Sequence, residues 1–490
     1  MSSAVVIGGG LGGLMTAAIL SKEGCKVTVL EKNAIIGGGL QSFSRFGEVF
    51  DTGMHFIGGM RPGGSVRRIC EWLGIWDRLH VLDADPAWMD TVYVSEDRQS
   101  YRIAQGRDGF VESLSRYFPE ERAGLAAYAD ALYRVADEED LFSLRLSRSG
   151  EHSAEYSMPA GAFIAKYIRD PHLRSVVAYM NPLYAGRPDT TPAYVHAIIS
   201  VLYMEGASRF AGGSVRFAQA LRDVIVQSGG AVLAGDAVTA VHHAGKAISG
   251  VTTAAGKTYM ADAYVCAIHP CTFFGLLDDP SLLPKAYRAR LDALPNAYSA
   301  FILNLKFRPD SFPFQNRTTY CVSAYGDMWY PDGGATWPGG FVCVTPPDLE
   351  QGPFARKMIV TAPMSWERVS PWVNSVTGRR DAEYEAWKSA CAEMLLERLQ
   401  EVYPGIRACI EAVNTASPLT IRDFYGVKEG SLYGFTKDCN HLVYSYVPVY
   451  TKVPNLFLTG QNCYLHGFCG VSLTAVETAE TILGRNVIRR

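Results

Sequence analysis

Ala4-Val5-Val6-Ile7-Gly8-Gly9-Gly10-Leu11-Gly12-Gly13, a helical stretch running to Gly24, and Val27-Thr28-Val29-Leu30-Glu31 together decide the fold of this chain. The opening apolar run has the character of a buried parallel strand. Gly8, Gly10 and Gly13 follow in G-x-G-x-x-G spacing, and Leu14, Ala17, Ala18 and Leu20 give the apolar pattern of a helix. Each glycine has a physical task. The first turns the chain off the strand, the second leaves bare backbone for a pyrophosphate, and the third lets the helix pack close to the sheet. The helix N-terminus then presents N–H groups to the phosphates, with Leu11 and Gly12 in that turn. Glu31, closing the second strand, stands where an acid accepts hydrogen bonds from an adenosine ribose, with Lys32 beside it. Strand, turn, helix, strand and acid at these distances predict a dinucleotide site in an α/β fold.

Outward from this unit, 490 residues allow two or three domains, and a net charge of -3 with interspersed signs gives no footprint for nucleic acid. Eleven cysteines without a C-x-x-C pair read as reduced thiols of a cytoplasmic protein. Cys463 and Cys469 are either buried inert thiols or a redox pair. No metal-ligating cluster is expected. The longest apolar run away from the N-terminus, about Ala193 to Met204, is shorter than the roughly 20 residues of a membrane-spanning helix.

Strand signals recur in separated blocks. Gly212-Gly213-Ser214 leads into a helix over Val215 to Gln227, and Gly229-Gly230 ends it. Ala231–Leu233, Val238–His242 and Tyr264–Ala267 read as strands, as does Leu456–Leu458 before Gly460. A glycine loop and a terminal helix from about Leu473 follow. Between the blocks lie a mostly helical stretch, about Ala84 to Arg209, and a less regular one from about Tyr287 to Thr415. The latter holds an alternating strand near Ala300–Phe307 and a helix near Tyr384–Glu401. Ile69, Trp72, Leu73, Trp76 and Leu79 mark one apolar face of a helix, which is either core or a surface contact with a membrane.

The motif Gly37-Gly38 … Phe50-Asp51-Thr52-Gly53-Met54-His55 resembles the flavin-dependent amine oxidase and phytoene desaturase superfamily. Phe-Asp-Thr-Gly-x-His-Phe-Ile-Gly is nearest its retinol saturase and carotenoid isomerase branch. Gly212-Gly213-Ser214, Ser417-Pro418-Leu419-Thr420 with Gly430-Ser431-Leu432-Tyr433-Gly434, and Leu458-Thr459-Gly460-Gln461 … Gly467 … Gly470 resemble further family segments, in order along nearly the whole chain. The resemblance implies an FAD-binding Rossmann-like domain of the glutathione-reductase-2 type, formed by residues 1–83, 210–286 and 416–490. An inserted α+β substrate domain would be formed by residues 84–209 and 287–415.

Carried over to this chain, Gly8, Gly10 and Gly13 would hold the FAD pyrophosphate and Glu31 the ribose. Gly37, Gly38 and the segment Gly53-Met54-His55 would lie along the diphosphate and flavin, and Val238 would meet the adenine. Gly460, Gln461 and a Gly470-Val471-Ser472 turn would meet the ribityl chain and ring. Two positions depart from the family: Gly39 stands where Arg is common, and Gln461 where Asp or Glu is. No second strand–G-x-G-x-x-G–helix unit is present for a nicotinamide cofactor.

The function implied is hydride transfer at flavin N5, saturating, desaturating or isomerising a double bond of an apolar polyene or isoprenoid-like molecule. A lipid-soluble substrate implies weak, peripheral membrane contact, with the 69–79 helix and the 193–204 run as candidate surfaces. A flavin amine or amino-acid oxidase, and a non-catalytic lipid-binding protein like the Rab GDP-dissociation inhibitors, are the alternatives. Two readings of His55 stand. It either delivers the proton that accompanies hydride, titrating near 6–7, or packs with Phe56 to fix its loop.

Overall fold

The computed structural model describes residues 2–147 and 151–490. The quoted run forms the strand Ser3–Ile7, the helix Leu11–Lys22 and the strand Lys26–Glu31. Ser3–Ile7 is the centre of a five-stranded parallel sheet in the order Leu456–Leu458, Ala263–Cys266, Ser3–Ile7, Lys26–Glu31, Ala231–Ala234. Apolar runs on the central strands fit a sheet covered on both faces. Val6 packs into one core and Val5 and Ile7 into another. The helix Leu11–Lys22 packs against the helices Val215–Gln227 and Gly467–Leu483, which explains why residues 12–21 are buried nearly all round.

A seven-stranded sheet stands apart, in the order Ile410–Ala416, Ser299–Phe307, Lys357–Met364, Gly340–Val344, Thr318–Val322, Asp90–Val94, Gln99–Ile103. All its pairings are antiparallel except Thr318–Val322 with Asp90–Val94. Both stretches expected as insertions thus contribute strands to one sheet. Short strands Val81–Asp83 and Ser208–Phe210 pair where the first stretch leaves and returns.

Several expectations need correction. The stretch read as mostly helical contains the strands Asp90–Val94 and Gln99–Ile103, whose alternation, with Val92, Val94, Tyr101 and Ile103 inward, is a strand pattern. The alternating strand expected near Ala300–Phe307 is Ser299–Phe307, and its alternation is between two cores. Phe301, Leu303 and Leu305 face one core, Ala300 and Ile302 another. The helix expected over Ile69–Leu79 is Ser65–Leu73. It stops at Gly74, φ +75°, and Trp76 opens a separate turn.

Of the first proposed membrane surface, Trp72, Trp76 and Leu79 are half-buried. Ile69 and Leu73 are buried, and the helix Ala193–Met204 is buried along its length except for the half-buried Tyr203. Among the described residues no helix is long and apolar enough to cross a membrane.

Gly13 shows how little slack the sheet–helix junction has. A Cβ there would lie 2.0 Å from the Gly8 carbonyl oxygen, backbone that cannot move aside. Gly13→Ala is expected to destabilise the fold by about 3 kcal/mol or more, the upper end for overpacking, read as a lowered denaturation midpoint. Gly24→Ala meets no atom within 4 Å at φ +88° and should cost only the roughly 1 kcal/mol of left-handed backbone.

Candidate cofactor and substrate cleft

The ends of the parallel strands open onto one cleft with about 2020 Å³ not filled by protein, part of it open to solvent. Gly8, Gly10, Leu11, Gly12 and Glu31 line it from the first unit, and Gly460, Gln461 and Val471 from the last. Gly8 turns at φ +109°. A Cβ on Gly10 would meet nothing nearer than Gly38 Cα at 4.0 Å, so bare backbone faces the cleft there. Gly12 is closed instead, since its Cβ would sit 2.9 Å from Gly460 Cα. Glu31 Oε2 accepts from the Gly9 N–H at 2.7 Å and Oε1 from the Asn33 N–H at 2.8 Å. Each oxygen keeps a lone pair for a further donor.

The Gly37–Gly39 loop is tied to the first glycine turn by a Gly37 N–H donated to the Gly9 carbonyl at 2.7 Å. Gly38, Gly39, Gly53, Met54 and His55 line the same cleft. Tyr425 lies over two of these glycines. A Cβ on Gly53 would be 2.7 Å from its hydroxyl oxygen, and one on Gly39 3.9 Å. Burial pushes the Tyr425 phenol up to about 12, so it stays a neutral donor.

Six predicted residues stand off the wall. Gly13 and Gly37 shape the turns behind it. Lys32 is exposed and donates to the Asp423 carbonyl at 3.0 Å. Val238 opens a separate antiparallel sheet, paired with Thr253. Gly470 and Ser472 lie inside the terminal helix, where the Ser472 hydroxyl donates to the Phe468 carbonyl at 2.9 Å.

The C-terminal loop also corrects the expected turn. The helix starts at Gly467, φ +72°, with His466 extended before it, so Gly470-Val471-Ser472 are already helical. Gly470 is glycine because a Cβ would lie 2.7 Å from Leu465 Cβ. The unpaired amides of the helix start are therefore those of residues 467–469.

His55 is on the wall with Nε2 3.5 Å from Thr361 Oγ1. Burial holds its pKa below the usual histidine range, against the opposing pull of Asp51, which moves it down from the expected 6–7. His55 Nδ1, Asn462 Oδ1 and His466 Nε2 are buried without hydrogen-bond partners. Sequence reading missed Thr361, Tyr425, Asn462 and His466. Asn462 and His466 fall between Gly460 and Gly467, a loop already marked by its glycines. Thr361 carries no local signal.

These parts fit a flavin dinucleotide. Bare backbone at Gly10 and Gly460 suits a diphosphate and ribityl chain, Glu31 a ribose, and the unpartnered polar atoms a heteroaromatic ring edge. Residues 11–483 match the model of the flavin containing amine oxidoreductase family. The chain belongs to that family. Like its members, it is an FAD-dependent oxidoreductase.

All-trans-retinol 13,14-reductase from Homo sapiens is 27% identical over 99% of this chain and 86% of its own length. Prolycopene isomerase from Arabidopsis thaliana is 24% identical over 98% and 82%. The retinol saturase and carotenoid isomerase branch implied by the motifs is thus where its relatives lie. Among solved structures, an oxidoreductase from Methanosarcina mazei superposes with TM-score 0.67 at 20% identity, covering 98% of this chain and all of its own. Putrescine oxidase does so with TM-score 0.65 at 12%, covering 99% of each. These likenesses establish the shared fold.

Two substitutions separate binding from folding. Glu31→Ala removes a carboxylate whose charge-assisted bonds are worth about 1.5–3 kcal/mol, so FAD affinity should fall roughly 10- to 100-fold in an apoprotein titration. Gly10→Ala, facing open space, should leave the denaturation midpoint nearly unchanged while weakening FAD binding. Unaltered affinity in both would remove this wall from the cofactor site.

Proposed function

We propose that the protein exchanges hydride between FAD and a carbon–carbon double bond of an apolar, polyene or isoprenoid-like substrate. The observation that carries this reading is the wall facing the glycine loops. Ile302, Val342, Val344 and Ile359 of the seven-stranded sheet and Ile199 and Leu202 of a buried helix line the cleft. A surface of branched aliphatic side chains rewards burial of hydrocarbon and offers no carboxylate to an amine. The names of the retinol reductase and prolycopene isomerase relatives support the same substrate class. The residues 84–209 and 287–415 are proposed as the substrate domain, supported by their joint sheet, and the glycine-lined remainder as the cofactor domain.

Bound in this cleft, FAD supplies hydride exchange at its N5. The chain's own residues do the rest. The aliphatic wall excludes water and aligns the chain of the substrate, and Glu31 with the two helix starts anchors the cofactor. His55 handles the proton at its unpartnered Nδ1. Because burial favours the neutral imidazole, the protonated form that can deliver a proton is scarce at pH 7 and grows as pH falls.

Anaerobic mixing of reduced holoprotein with a polyene alcohol should reoxidise the flavin, with absorbance returning near ~450 nm, and shorten the polyene chromophore. Reduction of the oxidised holoprotein by primary amines, with no response to any polyene, would defeat the reading. His55→Gln should retain FAD yet slow hydride transfer by about 10²–10⁴-fold. In the saturating direction the wild-type rate should rise as pH drops below 6.5, and the variant should lose that rise. A variant with wild-type rate and pH profile would confine His55 to packing.

A further inference from the structure

Lys437 is a buried cation that no described carboxylate neutralises. It is 7% exposed, and its ammonium donates to the Cys463 carbonyl at 2.7 Å and the Ser445 carbonyl at 3.3 Å, two acceptors for three N–H donors. Among the described residues it makes no ion pair. Two acids, Glu477 and Glu139, act on the neighbouring Cys463 and Tyr464, and Glu477 Oε2 is buried without a hydrogen-bond partner. Glu139 accepts from the hydroxyls of Tyr464 and Tyr156 and from the Leu141 N–H, and burial raises both Glu139 and Glu477. Burial likewise keeps the Cys463 thiol protonated and drives His466 down to about 3, hence neutral.

This lysine lines a second, smaller cavity whose remaining walls are mostly apolar, among them Phe142, Val195, Ile198 and Leu473. The cavity adjoins the main cleft, with Ile199, Leu202, His466 and Cys469 lining both. His466 Nε2, buried and without a partner, stands at the junction. A buried unpaired charge is costly, and a fold that keeps one beside an apolar cleft has a use for a counter-ion delivered from outside.

We propose that this pocket receives the anionic head, a carboxylate, of an otherwise apolar substrate, with Lys437 and His466 as its hydrogen-bonding partners. The proposal rests on the reading of the cleft as a site for a polyene or isoprenoid-like chain. Lys437 lines only the side cavity and not the glycine-lined cleft, which assigns its charge to the substrate's end rather than to the flavin's own anionic edge.

The matched probes are all-trans-retinoic acid and all-trans-retinol, titrated into FAD-loaded protein and read by flavin difference absorbance and tryptophan quenching. At pH 6.5 the acid should bind about 10-fold or more tightly than the alcohol. Lys437→Gln should abolish that preference while leaving the alcohol's Kd within about two-fold. Burial lowers the Lys437 pKa to about 8, so the ammonium is present below that pH and lost above it. Wild-type affinity for the acid should therefore fall on the order of 10-fold between pH 8 and 9.5, with no such fall for the alcohol. This pH series decides alone should the variant fail to fold. Equal binding of acid and alcohol overturns the proposal and leaves the polyene reading standing, whereas binding of neither overturns both. A Lys437→Gln protein that loses FAD instead would transfer the lysine to the cofactor and overturn it too.

Discussion

Gly12 and Gly460 meet backbone to backbone, and the cleft depends on that approach. The N-terminal turn that leaves the central strand and the C-terminal loop that leaves the edge strand must come together without side chains between them. The hydroxyls of Thr16 and Thr459, 3.1 Å apart, fasten the same junction one turn deeper. Around this contact the two helix starts converge on one space, so two positive dipole ends point at whatever occupies it. The Gly13 junction behind it lets the first helix lie low enough for that convergence. A Cβ on Gly12, 2.9 Å from Gly460 Cα, would press the two rims of the cleft apart.

The glycines of this cleft fall into kinds that a spacing rule does not distinguish. Gly13 and Gly470 are small because packed atoms already occupy the place of a Cβ. Gly8 and Gly467 are glycine because φ is positive, and Gly10 because open space faces the cavity. Only the last kind bears directly on a ligand. The distinction also explains the misplaced C-terminal turn: Gly470 was read as conformational when it is steric, and the turn belongs to Gly467.

What was legible in the sequence was local. Ala4 to Glu31 carries its strand, turn, helix and acid within one short window, and each half of that pattern constrains the other. The alternation in Asp90–Val94 was equally local, but neighbouring helical stretches masked it, and its partner strand Thr318–Val322 lies far along the chain. Tyr425 covers Gly39 and Gly53 from nearly 400 residues away, and no periodicity announces such a contact. His196 and His55 look alike in sequence. Only the fold shows that hydroxyls of Tyr128 and Tyr184 satisfy both ring nitrogens of His196 while His55 keeps a free one.

The placement of Leu456–Leu458 and Gly467–Leu483 beside the first residues of the chain has a consequence for biosynthesis. At about 5–20 residues per second, roughly 20–90 s separate the emergence of the first helix from that of the helix that covers it. Through that interval Leu14, Met15 and Ile19 belong to an element with an unfinished side. The nucleotide sheet lacks its last strand, and the cleft lacks one of its two rims. Synthesis of Leu456–Leu458 and Gly467–Leu483, rather than local formation of the first helix, therefore gates acquisition of the flavin. A ribosome-stalled chain that ends before Leu456 presents an apolar surface to chaperones instead of a cofactor site.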